Sequence, residues 1–175
     1  MHFLLDFHYS DYWADPGQQN KPDAWKNLSF DELKEAVHKY TYDVLYRLKI
    51  MDCAPDMVQI GNEIRSGMLF PDGAVPQYRQ LAALVNEGIR AVRELLPETK
   101  VMIHLDQGGR YNCIMPWFDS MFNAGMLPID AIGLSFYSFW HGTFMDLKDT
   151  MSRLIKLYNL PVYIVETAHP WRHCK

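Results

Sequence analysis

Cysteine is scarce in this chain: Cys53, Cys113 and Cys174 are the only three in 175 residues. An odd count without a Cys-x-x-Cys pair argues against a disulfide framework and against a zinc knuckle. It fits a reducing compartment, although secreted enzymes without disulfides also exist. Long apolar runs are missing, so no segment reads as a membrane-spanning helix. Basic clusters are missing too. The net charge is -4, and no run of Lys or Arg could track a phosphate backbone, which argues against nucleic acid as a partner. The start, Met1-His2-Phe3-Leu4-Leu5-Asp6, has neither the basic opening nor the small-residue cleavage site of a signal peptide. No glycine-rich phosphate loop follows any strand-like run, and there is no repeat or low-complexity stretch.

What is present is apolar and aromatic. The hydrophobic fraction is 49% and the aromatic fraction 14%, the balance of a globular chain long enough for one domain with a core. Five short apolar runs, at 3–7, 57–60, 101–105, 131–135 and 162–165, read as strands buried on both faces. Helical patterns lie between them. Ser29 with Glu32 forms a capping box ahead of Leu33, Val37, Tyr40, Val44 and Leu48. Pro76 suits the first turn of a helix carrying Leu81, Val85, Ile89, Val92 and Leu96, and Pro97 stops it. A shorter helix is expected over 116–124, ending at Gly125. A fourth carries Leu147, Met151, Leu154 and Tyr158, with Asn159 as its stop.

Alternating strands and helices mean parallel strands joined by right-handed crossovers. A five-stranded doubly wound sheet and part of a (β/α)8 TIM barrel both fit; a whole barrel usually takes about 250 residues. Polar and aromatic residues follow all five strands, and a barrel draws on many strand ends where a doubly wound sheet uses one crevice. The expectation is therefore α/β, a partial (β/α)8 barrel of five parallel strands and four connecting helices. Both ends of the chain look cut, so residues 1–175 are expected to form an incomplete catalytic domain. Its first and last strands should have unpaired edges.

Two carboxylates mark the chemistry. Glu63 ends Val58-Gln59-Ile60-Gly61-Asn62-Glu63, and Glu166 ends Val162-Tyr163-Ile164-Val165-Glu166. Both fall where an apolar strand stops, the active face of a parallel barrel. Paired carboxyls there suit acid and nucleophile work on a sugar, and Asn62 could bind a sugar hydroxyl. The plainer readings are Glu63 paired with Arg65, and Glu166 salt-bridged at the rim. His8, His104, His141 and His169 also lie near strand ends, with His104 and Asp106 on one side of a strand. A metal set of His8, His104, Asp106 and His141 is conceivable. Without a His-x-His pair or a His-Glu-x-x-His run, polar lining of a pocket is the preferred reading, with no metal and no cofactor. Trp13 and Trp140 fall in loops after strands, where an indole can stack on a sugar ring or simply anchor its loop. Trp117 belongs to the core. Asp11 and Asp15 flank Trp13 and could accept sugar hydroxyls or close Asx-turns. The loop 9–27 is long enough to suggest function.

These words join into a resemblance that runs end to end. Leu5-Asp6-Phe7-His8-Tyr9-Ser10-Asp11-Tyr12-Trp13-Ala14-Asp15-Pro16, with Gln19, Pro22 and Trp25, resembles the third-strand region of the family 53 glycoside hydrolases, endo-β-1,4-galactanases that cut arabinogalactan. Val58 to Ile64 with Gly67 resembles their fourth strand, Ile132 to Tyr137 with Trp140-His141-Gly142 their sixth, and Val165-Glu166-Thr167-Ala168 with Pro170-Trp171 their seventh. Phe70, Ser138 and His169 depart from residues common in the family, which touches the cleft rim more than the chemistry.

The resemblance implies a retaining hydrolase of β-1,4-galactan with Glu63 as acid/base and Glu166 as nucleophile. Asn62 would bind the hydroxyl beside the anomeric carbon, and Tyr137 would hydrogen-bond the nucleophile. His8 and His141 would line the cleft, and Trp13 would help form a stacking platform. It also implies that strands one, two and eight are missing, that the whole enzyme is exported, and that at full length it is a monomer. A metal-dependent barrel hydrolase and a non-catalytic carbohydrate-binding protein are the alternatives. A retaining pair should stand about 5–5.5 Å apart.

Overall fold

The computed structural model describes residues 2–169. The elements run β1 (Leu4–Phe7), α1 (Phe30–Ile50), β2 (Met57–Ile60), β3 (Gly67–Met68), β4 (Gly73–Ala74), α2 (Tyr78–Leu95), β5 (Lys100–Leu105), α3 (Tyr111–Asn123), β6 (Ala131–Phe136), α4 (Phe144–Tyr158) and β7 (Val162–Thr167). Short 3-10 turns add Asp23–Trp25 and Ile64–Ser66. Five strands form one parallel sheet in the order β1-β2-β5-β6-β7, with β1 and β7 at its open edges among the described residues. This is a partial (β/α)8 barrel. The tiny antiparallel hairpin β3-β4 was not foreseen, because two residues a side leave no periodicity to read. No helix among the described residues is long and apolar enough to cross a membrane. Cys53 and Cys113 are free and exposed; Cys174, Pro170 and Trp171 lie outside the described residues.

Local chemistry explains the helices. Ser29 Oγ accepts from the Glu32 amide at 3.4 Å, and the Glu32 carboxylate accepts from the Ser29 amide at 2.8 Å. Thr143 and Asp146 repeat that box at the start of α4. The buried seam of α1 is Leu33, Val37, Thr41 and Leu45, not the expected row through Tyr40, Val44 and Leu48. A polar residue hid it. The Thr41 hydroxyl is satisfied by Val37 O at 2.8 Å and Tyr9 OH at 2.7 Å, so it can sit in the core. Tyr40 stands outside, with its ring about 6 Å from those of Phe7, Tyr9 and Trp25.

Two prolines need correction. Pro76 precedes the cap residue Gln77 instead of entering α2. Pro116 is internal to α3, which begins at Tyr111 rather than near 116. The apolar spacing of Ile114, Trp117, Phe118 and Met121 overrides the proline, since all four are buried in the core.

Each sheet strand divides its residues between two faces. Leu5 and Phe7, Val58 and Ile60, Val101, Ile103 and Leu105, and Ile132 and Leu134 join the helices in one core. The opposite, inner face carries Asp6, Gln59, His104, Ser135 and Gly133. In β7, Val162 and Ile164 pack on the helix side, so simple alternation would send Glu166 there too. A bulge intervenes. Leu134 pairs with Ile164 but Ser135 pairs with Glu166, leaving Val165 as the extra residue. The bulge returns Glu166 to the inner face.

Helix α2 lies close on β2 because Gly88 has no side chain. A Cβ there would stand 2.8 Å from Ile60 Cγ2 and 2.9 Å from Tyr9 Oη. Gly to Ala in a helix interior ordinarily stabilises by about 1 kcal/mol. Gly88→Ala is expected to reverse that sign and cost about 1–3 kcal/mol through overpacking. Urea unfolding measures it, and a stabilised variant would contradict the close approach.

Candidate active site

The site forms where the inner faces of the strands end. After β2 the chain turns sharply: Gly61 has φ +80°, and a Cβ there would lie 2.6 Å from Ile64 Cγ2. Glu63 itself has φ 48°, a left-handed conformation that costs energy for any residue with a side chain. That turn aims Glu63 across the sheet at Glu166. Carboxylate oxygens of the two, together with a ring nitrogen of His104, all lie within 4.8 Å of one another. Above them is a cleft of about 300 Å³ lined by Asp15, Pro16, Glu63, Asp106, Tyr137, Trp140, His141 and Glu166.

The two carboxyls have different surroundings. Burial pushes the Glu63 pKa up to about 7, and the negative charges of Glu166, Asp106 and Asp15 add to it; a proton donated by Ser135 would act the other way. Glu166 accepts a hydrogen bond from Tyr137 Oη at 3.1 Å. The phenol is pushed up to about 12, by burial first and then by that carboxylate, so it stays a donor.

Beneath the pair lies a polar floor. Asn62 Nδ2 donates to Ala14 O at 2.9 Å, while its Oδ1 accepts from Gln59 Nε2 at 3.1 Å and contacts His104 Nδ1 at 2.7 Å. Gln59 also donates to Asp6 Oδ1 at 2.6 Å. His104 is 0% exposed, and burial drives its pKa down to about 3, so the ring is neutral. The Ala14 amide donates to His8 Nδ1 at 2.8 Å, and His8 Nε2 then donates to Asp6 at 2.9 Å. That bond to Asp6 raises the His8 pKa. His141 Nδ1 lies 3.0 Å from the Ser135 carbonyl, and burial lowers its pKa.

Residues 1–175 match the family model for glycosyl hydrolase family 53 throughout. The chain belongs to this family. It is 36% identical over 181 residues to an arabinogalactan endo-β-1,4-galactanase of Cellvibrio japonicus, covering 98% of this chain and 47% of that protein. A Thermothelomyces thermophilus protein of the same name is 35% identical, over 95% of this chain and 52% of its own length. The Ignisphaera aggregans GH53 catalytic domain superposes with a TM-score of 0.94 at 41% identity, over 99% of this chain and 48% of that one. The chain thus spans about half the length of the curated relatives it matches. Xylanase 10B of Thermotoga maritima shares the fold alone, with a TM-score of 0.65 at 16% identity.

Most of the residues singled out from sequence converge here. Glu63, Glu166, Asp15, Asp106, Tyr137, Trp140 and His141 line the cleft. His8, expected to line it, is not among its lining residues; it and Asn62 bond to the backbone of Ala14. Three others also depart from expectation. His104 is sealed under the cleft and meets Asn62 and Ser135 instead of open space. Asp11 accepts from the Asp23 amide at 2.7 Å and belongs to a separate hollow with Tyr12, Lys21 and Phe70. Trp13 is 67% exposed and is not among the residues lining the cleft.

Glu63 is not paired with Arg65. Arg65 instead grips Asp106 with two bonds, Nε to Oδ1 at 2.6 Å and a terminal nitrogen to Oδ2 at 3.0 Å. That partnership, and the places of Gln59 and Ser135, had no signal beyond inner-face parity. The four conceivable metal ligands are not assembled as a set. Asp106 is held by Arg65, and both His104 nitrogens face protein partners. Glu63, His104 and Glu166 are close enough to hold a cation, provided His104 gave up one of those partners.

Glu63 binds its proton more tightly in the folded protein than an unfolded glutamate does. Its raised pKa therefore favours folding below about pH 4.5, and that contribution is lost as pH climbs through about 7. Glu63→Gln, which never ionises, is expected to be more stable than the parent at pH 8 and about equal at pH 4. Partial exposure screens the effect, so a gain of about 1 kcal/mol is expected from urea midpoints. Equal stability at both pH values would mean that Glu63 is not held dry.

Proposed function

We propose that the chain contributes the catalytic pair of a retaining endo-β-1,4-galactanase, and that its five sheet strands take the third to seventh places of the glycosidase barrel. The carrying observation is the approach of Glu63 and Glu166 oxygens to within 4.8 Å. Retaining pairs stand about 5–5.5 Å apart, whereas inverting pairs need about 6.5–9.5 Å to admit a water.

The two environments support separate roles. Glu63, holding its proton near neutral pH, protonates the departing glycosidic oxygen. Glu166, fixed by the Tyr137 hydroxyl, attacks the anomeric carbon and forms a covalent glycosyl-enzyme. Glu63, now a base, takes a proton from the water that releases the sugar. Asn62 has both lone pairs of Oδ1 directed at Gln59 and His104, so only its spare N–H is left to donate to a sugar hydroxyl. Trp140, 65% exposed at the cleft, offers an indole face to a sugar ring.

Galactan as substrate is supported by the relatives' names. A polymer of that size stays outside cells, so we place the whole enzyme outside the cytoplasm and acting as a monomer. His8, Asp15, Asp106 and His141 complete the proposed binding surface; no cofactor takes part.

The test uses protein expressed from the complete reading frame. Proton NMR of galactan digestion should show the β-anomer forming first, with mutarotation following. Glu63→Gln and Glu166→Gln should each lower kcat/KM by about 10²-fold or more. Initial release of the α-anomer would overturn the retaining mechanism. Loss of activity to a chelator, restored by zinc, would favour a metal hydrolase built on Glu63, His104 and Glu166. Galactan binding with no hydrolysis by the parent would favour a non-catalytic binding protein.

A further inference from the structure

The turn that carries Glu63 is held on both sides. Upstream, the Asn62 carbonyl accepts from Gln19 Nε2 at 2.8 Å, and the Asn62 side chain donates to Ala14 O at 2.9 Å. Downstream, Ile64 is 0% exposed in the core, and the Arg65 amide donates to the Glu63 carbonyl at 2.9 Å. Between them Glu63 keeps a left-handed backbone, φ 48° and ψ 44°. A residue with a side chain stays there only where its surroundings over-determine it. The Arg65 side chain adds a restraint from another strand. β2 and β5 are paired neighbours, and Asp106 is the residue after β5. Arg65 Nε donates to Asp106 Oδ1 at 2.6 Å, and a terminal nitrogen donates to Oδ2 at 3.0 Å. Two bonds from one planar guanidinium fix orientation as well as distance. The far end of the fork is itself anchored: Asp106 is 4% exposed, and Gln107 Nε2 also donates to its Oδ2 at 3.2 Å.

We infer that Arg65 and Asp106 are positioning residues for the acid: their fork ties the turn after β2 to the end of β5 and so keeps Glu63 aimed across the sheet at Glu166. The inference rests on Glu63 being the acid of the proposed function. It moves Asp106 from sugar binding to support of the turn, since both of its oxygens already have protein donors. Arg65 stands two residues after the acid, so slack at the fork reaches Glu63 through one intervening residue. A misplacement of about 1 Å can cost on the order of 10²-fold in rate.

The leaving group separates this role from a merely structural one. The alkoxide leaving galactan needs a proton, whereas a dinitrophenolate departs without one. In protein from the complete reading frame, Arg65→Met should lower kcat/KM on galactan by about 10-fold, through kcat and without a rise in KM. On a dinitrophenyl β-galactobioside the loss should stay within about 2-fold. Equal losses on both substrates overturn the inference. Arg65→Lys keeps the charge and loses the fork, so its rate on galactan should fall between those of the parent and Arg65→Met; full activity overturns the role of the fork. Asp106→Asn should show the same pattern, and the double variant Arg65→Met/Asp106→Asn should lose no more than either single one. The double variant leaves no buried unpaired carboxylate, so it reports even where Arg65→Met alone does not fold. Losses that multiply to about 100-fold give Asp106 a separate task, such as a sugar contact, and overturn the inference.

Amide hydrogen exchange tests the clamp without turnover. Residues 62–66 should exchange about 10-fold faster in the double variant, with the buried face of α2 unchanged. Unchanged exchange at 62–66 overturns the inference. If Glu63→Gln proved fully active, the proposed function would fail, while exchange would still decide whether the fork holds the turn.

Discussion

Two carboxyl groups held within 4.8 Å of each other set the terms for the rest of this structure. At that distance in a partly dry site, two negative charges repel, so the pair is most stable while one of them holds a proton. The surroundings separate them. Glu63 is withdrawn into the protein near Asp15 and Asp106, while Glu166 accepts a hydrogen bond from the Tyr137 hydroxyl. Glu63 is also held on a left-handed backbone that the Gly61 turn makes reachable. The cost in stability is local and is carried by the apolar core on the other side of the sheet.

That arrangement works because each strand keeps its two faces apart. The helix side is apolar and closes with α1 to α4 into one core. The inner side carries Asp6, Gln59, His104 and Ser135, polar groups that would be costly to bury alone. They are satisfied by one another, in a network that also fixes the orientation of Asn62 and the tautomer of His104. Rigidity at the floor comes from this mutual satisfaction: each group has an assigned donor or acceptor, and moving one leaves another unpaired.

Legibility followed periodicity. The five strands and four helices were readable because apolar residues recur with the right spacing, and the capping box at Ser29 obeys a local rule. The α1 seam was misread because Thr41, a polar residue, occupies a core position that only Tyr9 and Val37 make tolerable. The start of α3 was misread because Pro116 normally marks a helix entry. At the site, the two glutamates and Tyr137 stood out at strand ends. Arg65 did not, since its partner Asp106 is 41 residues away in sequence and the pair exists only across strands. Trp13 and Asp11 looked like cleft residues by composition, yet the path of the loop 9–27 turns Asp11 to the Asp23 amide and leaves Trp13 outside.

The sequence alone determined the parallel α/β order, the placement of both glutamates at strand ends, and the family. These depend on local spacing and on motifs carried by contiguous residues. Only the tertiary structure decided which face Glu166 occupies. By alternation from Val162 and Ile164 it belongs with the helices, and the bulge at Val165 turns it inward to meet Glu63. A bulge is a property of the pairing between β6 and β7, not of either strand. The direction of the hydrogen bonds under Glu63 is likewise set by groups from separate strands and loops, which meet only once the sheet has formed.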